Sequence, residues 1–142
     1  MARFLVAVDG SDHAIRAVKH LLRVASDSKE SVEAHILNVQ SPIAIGGIKR
    51  AVTQEMIDDY YRDEGNQVLN SVRQLLDKSS IPHTYHIGIG PIAETIIDYG
   101  REHSCTHIII GSRGLGSLSS LLLGSVANKV LHLAEVPVTV VK

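Results

Sequence analysis

At 142 residues the chain has the length of one domain built around one hydrophobic core, and its 44% hydrophobic and 20% charged residues exclude a disordered or fibrous protein. A formal net charge of −1, with lysines and arginines scattered, removes the electrostatic case for nucleic acid. No apolar run approaches the ~18 residues of a membrane span, the opening "MARFLVAVDG" has no signal-peptide layout, and the single cysteine, Cys105, has no internal disulfide partner. A cytoplasmic chain of one domain, 1–142, without membrane insertion or nucleic-acid binding is expected.

The first apolar β-branched run is "FLVAV" (4–8), and it ends at Asp9. Ser11 then stands where a helix N-cap belongs, ahead of Ala14, Val18, Leu21, Leu22 and Ala25 on one helical face. A second strand is predicted at "AHILNV" (34–39). The stretch "SPIAIGGIKRA" (41–51) fits neither period and is long for a connection, which makes it a binding-site flap or a surface loop. Val68, Val72, Leu75 and Leu76 mark a second helix before a third strand, "HTYHIGI" (83–89).

Pro91 suits the first turn of a third helix carrying Ile92, Ile96 and Ile97. "HIII" (107–110) gives a fourth strand, and Val126, Val130, Leu131 and Ala134 a fourth helix. "VPVTVV" (136–141) gives a fifth strand, placed at a sheet edge by Pro137. Strands alternating with helices predict an α/β fold, a parallel sheet covered on both faces. An apolar edge at 136–141 invites a second copy, so a homodimer through that strand is expected.

Candidate chemistry concentrates in "GSRGLGSLSSLLLGS" (111–125). Ligands of open α/β sheets sit at the carboxyl ends of strands where the strand order reverses. Gly111 and Gly114 leave room for a phosphate to reach the backbone, and Gly124-Ser125 opens a helix whose N–H groups favour negative charge. Neither the Walker A lysine nor the dinucleotide G-x-G-x-x-G spacing is present, which disfavours a P-loop kinase or a dinucleotide-dependent dehydrogenase.

Gly111-x-x-Gly114, nine residues, then Gly124-Ser125 resembles the G-x2-G-x9-G-(S/T) nucleotide motif of the ATP-binding branch of the universal stress protein (UspA) family. The resemblance extends over the chain, from "FLVAVDGSDHA" through "HILNV" and "GIGPIAETII" to the closing "THIIIGSRGLGSLSSLLLGSVANKVLHLAEVPVTVV". It implies a Rossmann-like (adenine nucleotide alpha hydrolase-like) five-stranded parallel sheet in order 3-2-1-4-5, dimerised through the last strand, with larger assemblies allowed.

The resemblance also implies roles. Ala7 and Val8 would wall the adenine side, Asp9 would contact the nucleoside or help hold a metal, and Val39 would offer backbone groups to adenine. Gly111, Arg113 and Gly114 would line ribose and phosphates, while Gly124, Ser125 and Val126 would bind phosphate oxygens. The cofactors implied are ATP, or AMP or ADP, with Mg²⁺ or Mn²⁺ carried mainly on phosphate oxygens. Read locally, the same residues have plainer roles, Asp9 as a turn residue, Arg113 as a solvated loop cation and Ser125 as an N-cap.

The eight histidines show no metal-binding spacing. His83 and His86 point to opposite faces of a strand, His103 and His107 straddle an element boundary, and packing or surface roles are expected. Cys105 reads as a buried inert thiol and Asp58-Asp59 as a solvated pair. With no base or lysine placed at the glycine segment, a nucleotide-responsive regulator is expected rather than an enzyme, its output a shift in the 41–52 loop or dimer surface. A slow ATPase or phosphotransferase, and a nucleotide-free dimeric interaction module, remain the alternatives.

Overall fold

The computed structural model describes residues 1–43, 52–114 and 123–142. Five strands alternate with four helices: β1 (Ala2–Ala7), α1 (Asp12–Asp27), β2 (Val32–Gln40), α2 (Gln54–Asp77), β3 (His83–Ile89), α3 (Ile92–Glu102), β4 (His107–Gly111), α4 (Ser125–Leu133) and β5 (Val138–Val141). All neighbouring strands are parallel, in the order β3-β2-β1-β4-β5. The chain therefore winds outward from β1 to β3, crosses back, and continues from β4 to β5. This leaves a reversal of strand order between β1 and β4.

Alternation along β1 divides the core in two. Phe4, Val6 and Val8 pack with Ala14, Val18, Leu21, Leu69 and Val72 under α1 and α2. On the other face, Leu5 and Leu37 pack with Ile96, Ile108, Cys105 and Val130 under α3 and α4. Helix starts follow local chemistry: the Ser11 side chain accepts the Ala14 N–H at 3.1 Å, and the Thr53 side chain accepts the Met56 N–H at 3.1 Å.

Two local expectations shift. Pro137 lies before β5 rather than within it, and its carbonyl accepts the Ile108 N–H at 3.0 Å; β5 is nevertheless an edge. Pro91 is the N-cap of α3, one position ahead of its first turn. Among the described residues no helix is long and apolar enough to cross a membrane.

Candidate functional site

Three chain segments meet at the carboxyl ends of β1 and β4. The first is the turn after β1, where Gly10 takes a left-handed φ of 88° and the Asp9 carboxylate accepts the Ser11 N–H at 2.9 Å. The turn faces one carboxylate oxygen toward Gly114, and a Cβ built on Gly114 would overlap that oxygen.

The second segment leaves β4. A Cβ on Gly111 would lie 2.8 Å from the His13 Cβ and 3.1 Å from the His13 carbonyl carbon, so glycine lets β4 end directly against the start of α1. Beyond it, the Ser112 N–H donates to the Val141 carbonyl of β5 at 2.7 Å, while the Ser112 carbonyl accepts the Gly124 N–H at 2.7 Å. Gly124 is equally confined, since a Cβ there would stand 3.1 Å from the Ser112 carbonyl oxygen and 3.2 Å from the Arg113 Cα.

The third segment is the start of α4. Gly124 is its N-cap and has no side chain to offer, and its first turn carries no acidic residue. Ser125 is therefore the first helical residue rather than the cap, which corrects the plainer reading of it. The leading N–H groups of α4 therefore carry their partial positive charge with no acidic side chain in their own first turn.

These segments enclose a crevice of about 420 Å³, within the range of small-molecule sites. All ten residues singled out from the sequence line it: Ala7, Val8 and Asp9 from the β1 turn, Val39 from β2, Gly111, Arg113 and Gly114 after β4, and Gly124, Ser125 and Val126 at α4. Leu37, Ile92, Ile96 and Ile110 give the wall beside Val39 its apolar character. One end is thus apolar, the other formed by the glycine backbone and the start of α4.

Sequence reasoning did not reach Asn38 and His13. Asn38 lines the crevice, is 4% exposed, and donates its side-chain N–H to the Val8 carbonyl at 2.9 Å, tying β2 to the β1 turn. Its signal was a lone amide inside "HILNV". His13 Nε2 lies 3.1 Å from an Arg113 guanidinium nitrogen. A guanidinium only donates, so Nε2 accepts and the proton sits on Nδ1, which is buried with no partner among the described residues. Burial, then the Arg16 and Arg113 cations, push the His13 pKa down, in the direction that disfavours protonation of the ring. Arg113 is thereby held beside the crevice by α1. Most of the 41–52 loop, and residues 115–122 of the glycine segment, lie outside the described residues.

A family model for the Universal stress protein family matches residues 1–142. A universal stress protein of Methanocaldococcus jannaschii is 28% identical over 140 residues, covering 99% of this chain and 81% of that protein. Among solved structures, the universal stress protein UspA of Lactobacillus plantarum superposes with a TM-score of 0.82 at 23% identity, covering 99% of this chain and 97% of that one. A universal stress protein of Archaeoglobus fulgidus, solved in complex with dAMP, superposes with a TM-score of 0.68 at 25% identity, covering 100% of this chain and 98% of that one.

Proposed function

We propose that this chain, which belongs to the universal stress protein family, binds ATP or its ADP and AMP relatives in the crevice between β1 and β4 and acts as a nucleotide-responsive regulator in stress adaptation. The observation that carries this reading is the convergence of an uncapped α4 N-terminus and the Gly111–Gly114 backbone on one crevice with an apolar far wall. That division suits a nucleotide: base against Val39, Ile92 and Ile96, phosphates against the start of α4. The dAMP held by the Archaeoglobus fulgidus relative supports the same assignment.

The lining residues also bear on a divalent metal. Asp9 is the one carboxylate among the described lining residues, and its Oδ1 already accepts the Ser11 N–H. This donor set fits a Mg²⁺ or Mn²⁺ that takes most of its ligands from phosphate oxygens and water and at most one from Asp9. Such an ion would screen the phosphates' mutual repulsion. Binding rather than turnover is the proposed role, because a lone engaged carboxylate beside backbone donors supplies a cradle without a base to position an attacking water.

The test is thermal unfolding with and without ATP-Mg²⁺, run beside Gly114→Val. At 100 times its dissociation constant the nucleotide adds about 2.7 kcal/mol to the parent and nothing to the variant. Equal curves for the parent with and without nucleotide would overturn the reading in favour of an interaction module. Sustained phosphate release lost in Asp9→Ala would overturn the non-enzymatic part alone.

A further inference from the structure

His35, His86 and His103 come from three separate elements and meet at the opposite end of the sheet from the crevice. His35 stands early in β2 and His86 in the middle of β3. The register pairs Leu37 with His86, and Leu37 belongs to the core under α3. Since partners in a ladder share a face and residues two apart return to it, His35 and His86 are diagonal neighbours on that same face. The third ring arrives from above as the C-cap of α3.

The position of that third ring is fixed by backbone. The His103 N–H donates to the Tyr99 carbonyl at 3.0 Å, Ser104 turns left-handed at φ 53°, and the Cys105 N–H returns to the Gly100 carbonyl at 2.8 Å. A sheet and a well-terminated helix therefore hold all three imidazoles.

One ring nitrogen from each histidine lies within 4.8 Å of the other two, and His35 Nδ1 is 2.9 Å from His86 Nε2. A tetrahedral zinc ion held at about 2.0–2.1 Å by each nitrogen sets its ligands about 3.3 Å apart, between those two distances. The rings now lie against one another, stacked with centroids 4.9 Å apart for His35–His103 and tilted with centroids 4.6 Å apart for His86–His103. Closing on an ion requires the half-buried His103 ring to tilt out of that stack, exchanging ring contact for coordination.

A carboxylate prepares the cluster from behind. Glu33 Oε1 lies 3.1 Å from His35 Nε2, and Glu33 Oε2 is 3.5 Å from Arg3 Nε. With Glu33 accepting from Nε2–H, the His35 lone pair is on Nδ1, which faces His86 Nε2 at 2.9 Å. Such an outward imidazole–carboxylate hydrogen bond is the recurrent support of metal-bound histidine.

We propose that His35, His86 and His103 form a site for a borderline divalent transition ion of the zinc type, with solvent as its fourth ligand. Three imidazoles without a carboxylate ligand suit such an ion and not Mg²⁺ or Ca²⁺. The ion would clamp the end of α3 onto β2 and β3. His35 is four residues along β2 from Val39, about 13 Å at ~3.3 Å per residue, so the site is separate from the nucleotide crevice and does not depend on it.

The experiment is a zinc titration of the full chain, stripped of metal by a chelator, in competition with a chromophoric zinc indicator. Cobalt(II) absorption then reads the geometry. The parent takes up one zinc per chain, with a tetrahedral cobalt spectrum and a raised Tm, whether or not ATP is present. His103→Gln, at an accessible helix end, lowers affinity by at least about tenfold, and Glu33→Gln by about 10–100-fold. His132→Ala, at the exposed end of α4, behaves as the parent. Should His86→Gln fail to fold, His103→Gln still decides the matter. Unchanged zinc affinity in His103→Gln, or a parent that binds no zinc at micromolar concentration, overturns the proposal and leaves three packed rings.

Discussion

Asp9 and Gly114 share one volume: the Asp9 carboxylate occupies the space that a side chain at position 114 would need. The overlap involves only the mobile end of a side chain. Gly114→Val is therefore expected to displace the carboxylate and fill the mouth of the crevice while changing stability by no more than about 1 kcal/mol. Gly111→Ala is different, because its Cβ meets the His13 Cβ and backbone. A loss of about 1–3 kcal/mol is expected there. Urea unfolding of both variants, beside nucleotide titrations, separates the two effects.

Two helix glycines are expected to respond to alanine with opposite signs. A Cβ on Gly100 in α3 would find Leu5 at 3.5 Å, an ordinary contact, so Gly100→Ala gains about 0.5–1 kcal/mol from helix propensity. On Gly65 in α2 it would stand 2.6 Å from the Ile87 Cδ1 and 3.0 Å from its Cγ2. Gly65→Ala then loses about 1–3 kcal/mol despite the same propensity gain. Equal shifts in unfolding midpoint would contradict the packing described.

Stability is expected to fall on acidification below the neutral range. Burial, then the neighbouring His103 and His35, push the His86 pKa from 6.5 down to about 4, and burial lowers His35 as well. The unfolded chain therefore takes up protons at these positions first as pH drops. The stability they contribute is present above pH 6.5 and is lost between there and about 4. Partial exposure of His86 limits its share to the order of 1–2 kcal/mol. Chemical denaturation at a series of pH values, with chelator present so that no metal holds the rings, should show a shallower slope for His86→Phe.

The free edge of β5 makes assembly testable. Thr139 is exposed on that edge, with Val138 and Val140 half-buried beside it. If a second copy pairs there, Thr139→Lys places two like charges near the two-fold axis and shifts the chain toward monomer in sedimentation velocity. A parent that sediments as a monomer at micromolar concentration would refute the dimer.

The fold was legible because alternation is a local property: each strand run and each helical face can be read within one window. Of the crevice, Gly111, Gly114 and the Gly124-Ser125 helix start were legible from backbone chemistry, whereas Ala7, Val8, Val39, Arg113 and Val126 were named only through the resemblance to the universal stress protein family. Asn38 and His13 were hidden because their roles lie in bonds to Val8 and Arg113, which spacing does not encode. The histidine cluster was hidden more thoroughly. His86 was weighed against His83 three residues away, and the strand does part those two, with His83 turning to Asp77 at 2.9 Å. Its actual partners are 51 residues earlier, on a neighbouring strand, and at a helix end, and only register and topology bring them together.

The hydrogen bonds around Ser112 carry a further implication. Its N–H is bound to the last residue of the edge strand and its carbonyl to the residue that caps α4. Mechanically, the outer rim of the sheet and the positive mouth of the crevice are joined by a linkage only two hydrogen bonds long. A partner that pulled on one end would be felt at the other, and a ligand settling at α4 would stiffen the rim. If a second copy pairs along β5 and a nucleotide sits at α4, the two events are neighbours on one short lever, with the serine as its pivot.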